Sequence, residues 1–217
     1  MTSDYQMLHA GRMRHRPDGT LEEAALALAE RQSLLRARDL SQRGISTVVL
    51  SRLVAQGKLE RVTRGIYTLP GRTLSEHRSL AEAALRVPKG VVCLLSALRV
   101  HGIGTQSPFE VWMAMPSNSP SPRPEAPALR VVRMSGAALT EGIVRVEIDG
   151  VPVPVFDADK TVADCFKYRN KIGIDVALEA LREGWSQGKL SMDALWRYAA
   201  VDRVANVMRP YLESATT

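Results

Sequence analysis

The segment 34–72 reads LLRARDLSQRGISTVVLSRLVAQGKLERVTRGIYTLPGR, and its pattern decides the fold class that we predict. A short helix is predicted over residues 38–43, because Gly44 can adopt the left-handed conformation that a sharp reversal of the chain requires. Ser46 follows two residues later, and its hydroxyl oxygen is suited to accept a hydrogen bond from a free N–H at the start of a second helix. This order of helix, turn and helix is typical of a helix-turn-helix.

The second helix is predicted to have one buried face and one exposed face. Val49, Leu50 and Leu53 recur at helical spacing on the buried face, and Gly57 follows where a helix end favours a left-handed residue. The opposite face carries side chains that point away from the core, namely Thr47, Val48, Ser51 and Arg52. This face is free to contact another molecule.

The sequence pattern after this helix changes to that of strands. The strand-forming residues are Leu59, Val62, Ile66, Tyr67 and Leu69. Thr63, Arg64 and Gly65 interrupt them at the position of a hairpin turn. The segment therefore predicts a winged helix-turn-helix, and helix-turn-helix modules place their second helix in the major groove of DNA.

A further helix is predicted to precede this module. Residues 20–23 read TLEE, the pattern of a capping box that starts a helix. Apolar residues then keep helical spacing, namely Leu21, Ala24, Ala25, Leu28 and Leu35. Residues 1–19 carry three arginines and two histidines without a periodic pattern. They are predicted to form a flexible arm, with contact to phosphates or to a minor groove as the alternative.

Positive charge is concentrated in the segment 34–72. It holds eight Lys or Arg residues against two acids, and the net charge of the whole chain is also +6. The rest of the chain is therefore neutral overall, which predicts a local footprint for DNA phosphates. The alternative is a solvated face that serves solubility. The predicted DNA-binding residues are Arg43, Ser46, Thr47, Val48, Ser51, Arg52, Lys58, Arg61, Thr63 and Arg64.

Residues 73–217 are predicted to form a second, larger domain behind the winged helix-turn-helix of residues 20–72, so that the fold class is α+β. Its predicted strands are residues 110–115, 129–134 and 142–148. An Asp149-Gly150 turn then leads into a return strand, in which Pro152 and Pro154 predict an edge strand or the end of one. The final third of the chain is predicted to be helical.

The compartment is predicted from the absence of targeting signals and from the cysteines. No apolar run approaches the ~20 residues that span a bilayer, and no secretory signal is visible. Cys93 and Cys165 lie far apart among apolar neighbours, which is typical of buried thiols that stay reduced. A cytoplasmic location is therefore expected.

One acidic cluster invites comparison with a catalytic site. Asp157, Asp159 and Asp164 surround Lys160 at the start of a predicted helix. Metal-dependent nucleases bring acids together around a metal ion, but here the acids suit the N-terminus of a helix, and no second acid pair completes a site. Helix capping and ion pairing are therefore favoured, with a partner-binding surface and a nuclease site as alternatives. No catalytic residue, metal site or cofactor is predicted.

The stretch DLSQRGISTVVLSRLVAQGKLERVTRGIYTLP resembles the winged-helix domain of AbiEi-type antitoxins. The shared pattern is a helix, Gly-Ile-Ser, a recognition helix with spaced leucines, Gly-x-Leu-x-Arg and Arg-Gly-Ile-Tyr. Two later stretches, LSALRVHGI and VFDADKTVADCFKYR, resemble parts of the C-terminal domain of the same family. The resemblance extends over roughly residues 20–213.

The resemblance implies an antitoxin that represses its own toxin–antitoxin operon of the abortive-infection type. The implied partners are double-stranded DNA of its own promoter, with inverted repeats, and a nucleotidyltransferase-like toxin that it counteracts with or without physical contact. Self-association on DNA is also expected, and no membrane partner is. Two alternatives stay open: a stand-alone winged-helix regulator whose second domain senses a ligand or dimerises, and a nuclease tethered to DNA.

Overall fold

The computed structural model describes the backbone of residues 18–215 and the side chains of residues 20–214. The predicted flexible arm of residues 1–19 lies outside the described residues, apart from the two that begin the first helix. The helices are α1 (Asp18–Arg31), α2 (Ala37–Gln42), α3 (Thr47–Ala55), α4 (Arg78–Arg86), α5 (Leu94–His101), α6 (Ala137–Thr140), α7 (Ala158–Lys167), α8 (Arg169–Ile172), α9 (Ile174–Ser186), α10 (Met192–Val201) and α11 (Ala205–Ala215). The strands are β1 (Leu35–Arg36), β2 (Glu60–Thr63), β3 (Ile66–Thr68), β4 (Val91–Val92), β5 (Val111–Pro116), β6 (Leu129–Met134), β7 (Ile143–Ile148) and β8 (Val151–Phe156).

Helices α2 and α3 form the predicted helix-turn-helix. The turn between them depends on Gly44, whose φ is +82°, and on Ile45, which is buried in the core of the module. Helix α3 buries Val49, Leu50 and Leu53 in a cluster with the alanines of α1, as the spacing predicted. Strands β2 and β3 form the predicted wing, and β1 adds a third strand to it in the order β1-β3-β2.

The prediction that Leu35 shares the apolar stripe of the first helix is wrong, because α1 ends at Arg31. Leu35 lies in β1, opposite Tyr67 of β3. Leu34 and Leu35 are both buried, and they belong to two different apolar clusters. Neighbouring side chains point to opposite faces in an extended backbone. The extended backbone therefore places the side chains of Leu34 and Leu35 in separate cores.

The second sheet is mixed and has the strand order β6-β5-β4-β8-β7. The β7–β8 hairpin turns at Asp149 and Gly150, whose φ values of +50° and +74° are those of a type I′ turn, as predicted. The prediction that the proline-containing return strand lies at a sheet edge is wrong, because β8 lies between β4 and β7.

The two prolines are accommodated by their register. Ile148 and Val151 close the turn as a hydrogen-bonded pair, so alternate residues of β8 from Val151 onward bond to β7. Pro152 and Pro154 would therefore direct their missing N–H groups toward the opposite neighbour, β4. That strand has two residues and pairs with β8 at Val155, so the missing donors cost β8 few bonds.

The wing and the larger sheet share an apolar cluster. Ile66 of β3 and Leu34 are buried in it together with residues of α4 and of the second sheet, including Leu80, Ala84, Val87, Ile148 and Val151. Polar contacts reinforce this junction: Arg36 Nη1 donates to the carbonyl oxygen of Leu85 at 2.8 Å. Buried contacts thus cross the boundary predicted after residue 72, and the division into two domains remains a prediction.

The opposite face of the second sheet is covered by helices. Its cluster joins residues of β5, α7, α9 and α10, including Trp112, Ala114, Val162, Phe166, Leu195 and Tyr198. The architecture is α+β, as predicted, with helices at the N-terminus and a larger region that contains the sheet. Within residues 18–215, no helix combines the length and the apolar character that crossing a membrane requires.

A buried ionic network ties α7 to the end of α10. Lys160 Nζ lies 2.5 Å from Asp164 Oδ1 and 3.2 Å from Asp202 Oδ2, and these three side chains have no exposed surface. Lys167 Nζ lies 3.5 Å from Asp202 Oδ1, so two lysines face two carboxylates. Burial raises the pKa of Asp164, and the neighbouring Lys160 opposes that rise.

We predict that Ile66→Ala lowers the free energy of unfolding by about 2–5 kcal/mol, because it leaves a cavity in the shared cluster. The three tryptophans, Trp112, Trp185 and Trp196, all lie outside the wing. Their fluorescence should nevertheless report the shift in urea unfolding, since the wing and the sheet share this core. The control Val48→Ala, at an exposed position, should change the free energy by less than about 0.5 kcal/mol. An unchanged tryptophan transition in Ile66→Ala would contradict the shared core.

We predict that Lys160→Met costs about 3–5 kcal/mol at neutral pH, because it leaves the buried carboxylate of Asp164 without its cation. The pKa of Asp164 should then rise further. A carboxyl group whose pKa is raised by folding stabilises the native state at low pH, and this stabilisation is lost as the pH rises through the folded pKa. The deficit should therefore shrink as the pH falls toward 5, and a deficit independent of pH would contradict this account. Lys167→Met, at a partly exposed lysine, is the control.

Candidate nucleic-acid interface

The N-terminal half of α3 is exposed along one face. Ser46 precedes the helix, and its Oγ accepts a hydrogen bond from the N–H of Val49 at 3.5 Å, as predicted for a cap. Thr47, Val48 and Ser51 are exposed. Val48 has 64% of its surface exposed, although the same helix buries Val49, Leu50 and Leu53. This face presents a methyl-bearing side chain beside hydroxyl groups.

Arg52 lies one turn further along α3, on the side that faces α1. Its Nη1 lies 3.2 Å from Glu22 Oε1, and 42% of its side chain is exposed. The carboxylate of Glu22 is mostly covered, so the pair orients the guanidinium over the junction of α1 and α3. Arg52 therefore remains accessible at the edge of the exposed face, while part of its hydrogen-bonding capacity is used inside the protein.

The wing tip carries basic side chains. Arg61 is exposed, and its Nε donates to the carbonyl oxygen of Thr63 at 3.4 Å. Arg64 has 67% of its side chain exposed and lies 3.6 Å from Glu125 Oε1. That separation is long, and exposed ion pairs contribute little to stability. The guanidinium of Arg64 is therefore available to a phosphate at small cost.

A loop between β5 and β6 supports the wing tip. Thr63 Oγ1 donates to the carbonyl oxygen of Ala126 at 3.2 Å. The same loop is held by Arg86, which donates to the carbonyl oxygens of Glu125, Pro127 and Arg123 at 2.7 to 2.9 Å. This loop, residues 117–128, is far from the wing in the sequence, and its contact with the wing was not predicted. No local pattern could have indicated it, because the contact joins residues 63 positions apart.

Two further predicted residues flank α3. Arg43 precedes the turn into the helix, Lys58 follows its end, and both are exposed. Arg36 and Arg72 also contribute to the positive charge of the segment, but their side chains bind backbone carbonyl oxygens inside the fold. Arg72 Nη1 donates to the carbonyl oxygen of Ala29 at 2.5 Å, at the C-terminal end of α1. The exposed positive charge thus gathers around α3 and the wing.

The acidic cluster on α7 has a structural arrangement. Asp157 caps the helix, with Oδ1 accepting from the N–H of Lys160 at 2.7 Å, and its Oδ2 accepts from the hydroxyl of Tyr198 at 2.8 Å. Asp159 Oδ1 accepts from the N–H of Ser191 at 2.7 Å. Burial, with a smaller effect of the Asp157 hydrogen bond, raises the pKa of Tyr198 to about 12. Capping and ion pairing are therefore what these groups do in the fold.

The predicted partner-binding surface needs a correction for two of its members. Lys160 and Asp164 have no exposed side-chain surface, so a partner that docks on the folded protein cannot reach them. Asp157 and Asp159 are half-buried. Among residues 18–215, no three or more His, Cys, Asp or Glu side chains are arranged to hold a metal ion.

Comparison with known proteins finds a family match for part of the chain and a similar fold. Residues 23–70 match the model of the family described as transcriptional regulator, AbiEi antitoxin. No curated protein matches the sequence. The crystal structure of the RV2827C protein from Mycobacterium tuberculosis has a TM-score of 0.53 and 16% sequence identity to this chain, and the alignment covers 83% of this chain and 71% of that one.

The two matches differ in what they cover. The structural likeness extends well beyond the winged helix-turn-helix and, at this identity, concerns the fold alone. The family match covers α3, the wing and most of α1. Residues 23–70 therefore match the transcriptional regulators of the AbiEi antitoxin family, which confirms the resemblance predicted for the N-terminal stretch. The resemblance of the two later stretches stays a prediction.

Proposed function

We propose that this protein is a DNA-binding antitoxin that represses its own toxin–antitoxin operon and counteracts a nucleotidyltransferase-like toxin. The observation that carries the proposal is the exposed face of α3, with Val48 at 64% exposure, beside a wing whose Arg64 is 67% exposed. This combination suits insertion of a helix into the major groove while the wing contacts the backbone. The family match at residues 23–70 supports the role.

The proposed readout assigns different tasks to the two parts of the interface. Thr47, Val48 and Ser51 would meet base edges, with the methyl groups of Val48 against a thymine methyl. Arg52 would read guanine from the rim of the same face. Phosphates would be held by Arg43, Lys58, Arg61 and Arg64. Ser46 at the start of α3 and Thr63 at the start of the hairpin turn would contribute further contacts. The target would be an inverted repeat in the promoter of the operon.

The remainder of the chain would supply the antitoxin activity. We propose the division into a DNA-binding domain, residues 20–72, and an antitoxin domain, residues 73–217, as a division of function between parts that share a core. A nuclease site on α7 would use Lys160 and Asp164, but neither side chain has exposed surface, so their burial does not favour nuclease chemistry there. Antagonism of the toxin would therefore proceed by binding or by an indirect route.

A second candidate is a regulator whose larger domain responds to a ligand. A cleft of about 290 Å³ between the N-terminal module and the β7–β8 turn favours it. Arg36, Asp39 and Arg43 line the cleft, so a bound ligand would touch a proposed phosphate contact. Rescue of growth when the chain is co-expressed with the product of a neighbouring toxin gene would favour the antitoxin, and a lack of rescue would favour this candidate.

We predict that Arg64→Ala weakens binding to every duplex and lowers the salt dependence of the affinity by about one counterion, whereas Arg52→Ala costs about 1–3 kcal/mol chiefly on the preferred site. Fluorescence anisotropy on the protein's own upstream region and on a scrambled duplex, at several salt concentrations, measures both effects. Arg209→Ala on α11 is the matched control, because it removes the same charge from an exposed position outside the interface. Equal losses for Arg52→Ala on both duplexes would contradict base reading.

We predict that repression and antitoxin activity can be separated by Val48→Asp. A carboxylate on the first turn of α3 suits the helix dipole and should leave the fold intact, but it should repel DNA phosphates and abolish operator binding. Growth rescue against the toxin, expressed from an unrelated promoter, should persist. Loss of rescue by a variant that accumulates to the wild-type level would assign the antitoxin effect to DNA binding.

A further inference from the structure

Strand β7 is an edge of the second sheet with one side unpaired. Ile148 and Val151 close the type I′ turn as a hydrogen-bonded pair, so Val144, Val146 and Ile148 direct their N–H and C=O groups toward β8. Ile143, Arg145 and Glu147 direct theirs outward. Among residues 18–215, none of these outward groups has a backbone hydrogen bond to another element. The strand therefore presents a row of unused donors and acceptors.

Four of the six side chains of β7 are also exposed. Ile143 and Val144 have 41% and 40% of their surface exposed, and they are two of the five large apolar side chains with this degree of exposure in the described residues. Arg145 and Glu147 are exposed as well. An exposed edge with apolar side chains is prone to pair with another strand unless the edge is covered or its charges repel the partner.

Strand β6 is the opposite edge of the sheet. Its Arg133 donates to the carbonyl oxygens of Pro116 and Ser119 at 3.0 and 2.7 Å. The strand carries two arginines and no acid, so it lacks the pair of opposite charges that β7 carries.

We propose that β7 pairs with β7 of a second copy of this chain, antiparallel and with the two-fold axis at Val146. In this register Arg145 of one copy lies opposite Glu147 of the other, and the reciprocal pair forms as well. Both residues direct their backbone groups outward, so each is a member of a hydrogen-bonded pair. Val144 then lies opposite Ile148 of the other copy, which covers part of the exposed apolar surface.

The charges select this register over its neighbours. If Arg145 lies opposite Arg145 of the other copy, two guanidinium groups come together. If Glu147 lies opposite Glu147 of the other copy, two carboxylates come together. Like charges directly opposite each other destabilise a strand pair, whereas opposite charges stabilise it. The sequence IVRVEI is therefore complementary to itself in the antiparallel sense. The result is a closed dimer with a continuous ten-stranded sheet, rather than an open chain of copies.

The arrangement has a consequence for DNA that rests on the proposed function. The turn at Asp149 and Gly150 touches the N-terminal module, because a Cβ at Gly150 would lie 3.3 Å from the Cα of Gln32. In the antiparallel pair the two turns lie at opposite ends, so the two winged modules are related by the two-fold axis. That symmetry matches two inverted half-sites.

Analytical ultracentrifugation of the full chain, without DNA, tests the pairing independently of the proposed function. We expect reversible dimers, with Arg145→Glu and Glu147→Arg each raising the dimer Kd by at least about tenfold through like-charge contacts. The double variant Arg145→Glu/Glu147→Arg should restore dimerisation, since it exchanges the two charges. Arg130→Glu, on the opposite edge strand, is the matched control and should leave Kd unchanged. A wild-type chain that stays monomeric at all accessible concentrations, or a double variant that fails to recover, overturns the proposal.

Disulfide cross-linking tests the register. Cα atoms of a hydrogen-bonded antiparallel pair lie about 5.5 Å apart, within the range that a disulfide spans. The variant Arg145→Cys/Glu147→Cys should therefore form a covalent dimer on mild oxidation, while Arg145→Cys alone should not. The native Cys93 and Cys165 are buried and do not interfere. Cross-linking of Arg145→Cys alone would overturn the proposed register. If the chain forms dimers that do not bind promoter DNA, the pairing of β7 is supported and the proposed function is contradicted.

Discussion

The burial of Leu34 and Ile66 in the cluster of the larger sheet is the contact on which the rest of this structure depends. These side chains belong to the winged module by sequence, yet they are buried among residues of α4, β7 and β8. Their neighbours Leu35 and Tyr67 turn to the other side and complete the core of α1, α2 and α3. The small wing sheet therefore serves two cores at once. A wing attached in this way has a fixed direction relative to the larger sheet.

The basic residues of the module acquire different roles within that frame. Arg36 and Arg72 are drawn into carbonyl contacts that hold β1 and the end of α1, whereas Arg61, Arg64, Arg43 and Lys58 remain at the surface. Acidic partners accompany two of the predicted DNA contacts, with Glu22 beside Arg52 and Glu125 beside Arg64. Such pairs orient the long side chains, and a phosphate that binds either arginine would have to displace the carboxylate. Fewer basic residues are thus available to a ligand than the segment contains.

The sequence predicted the local parts of this molecule well. Gly44, Ser46 and the spacing of Val49, Leu50 and Leu53 determined the helix-turn-helix, and Asp149-Gly150 determined the second hairpin, because turns and caps depend on residues a few positions apart. The sequence did not predict the features that depend on contacts between distant residues. Leu35 forms a strand because β3 offers it a partner 32 positions away, and the loop that supports Thr63 comes from between β5 and β6. The acids on α7 looked like a cluster in sequence, but Asp202, which completes their network, lies 42 positions beyond Lys160.

The fixed wing also changes what an edge strand can accomplish. If the two parts of the chain were joined by a flexible linker, pairing of β7 between copies would bring two DNA-binding modules near each other without setting their spacing or direction. Here the β7–β8 turn packs against the end of α1, and Ile148 and Val151 lie in the same cluster as Ile66. The position of α3 is therefore coupled to the position of β7 through packed side chains. Packed cores resist deformation, so a two-fold axis at Val146 would impose one spacing between the two copies of α3. The geometry of the larger sheet would then determine the preferred distance between half-sites on the DNA.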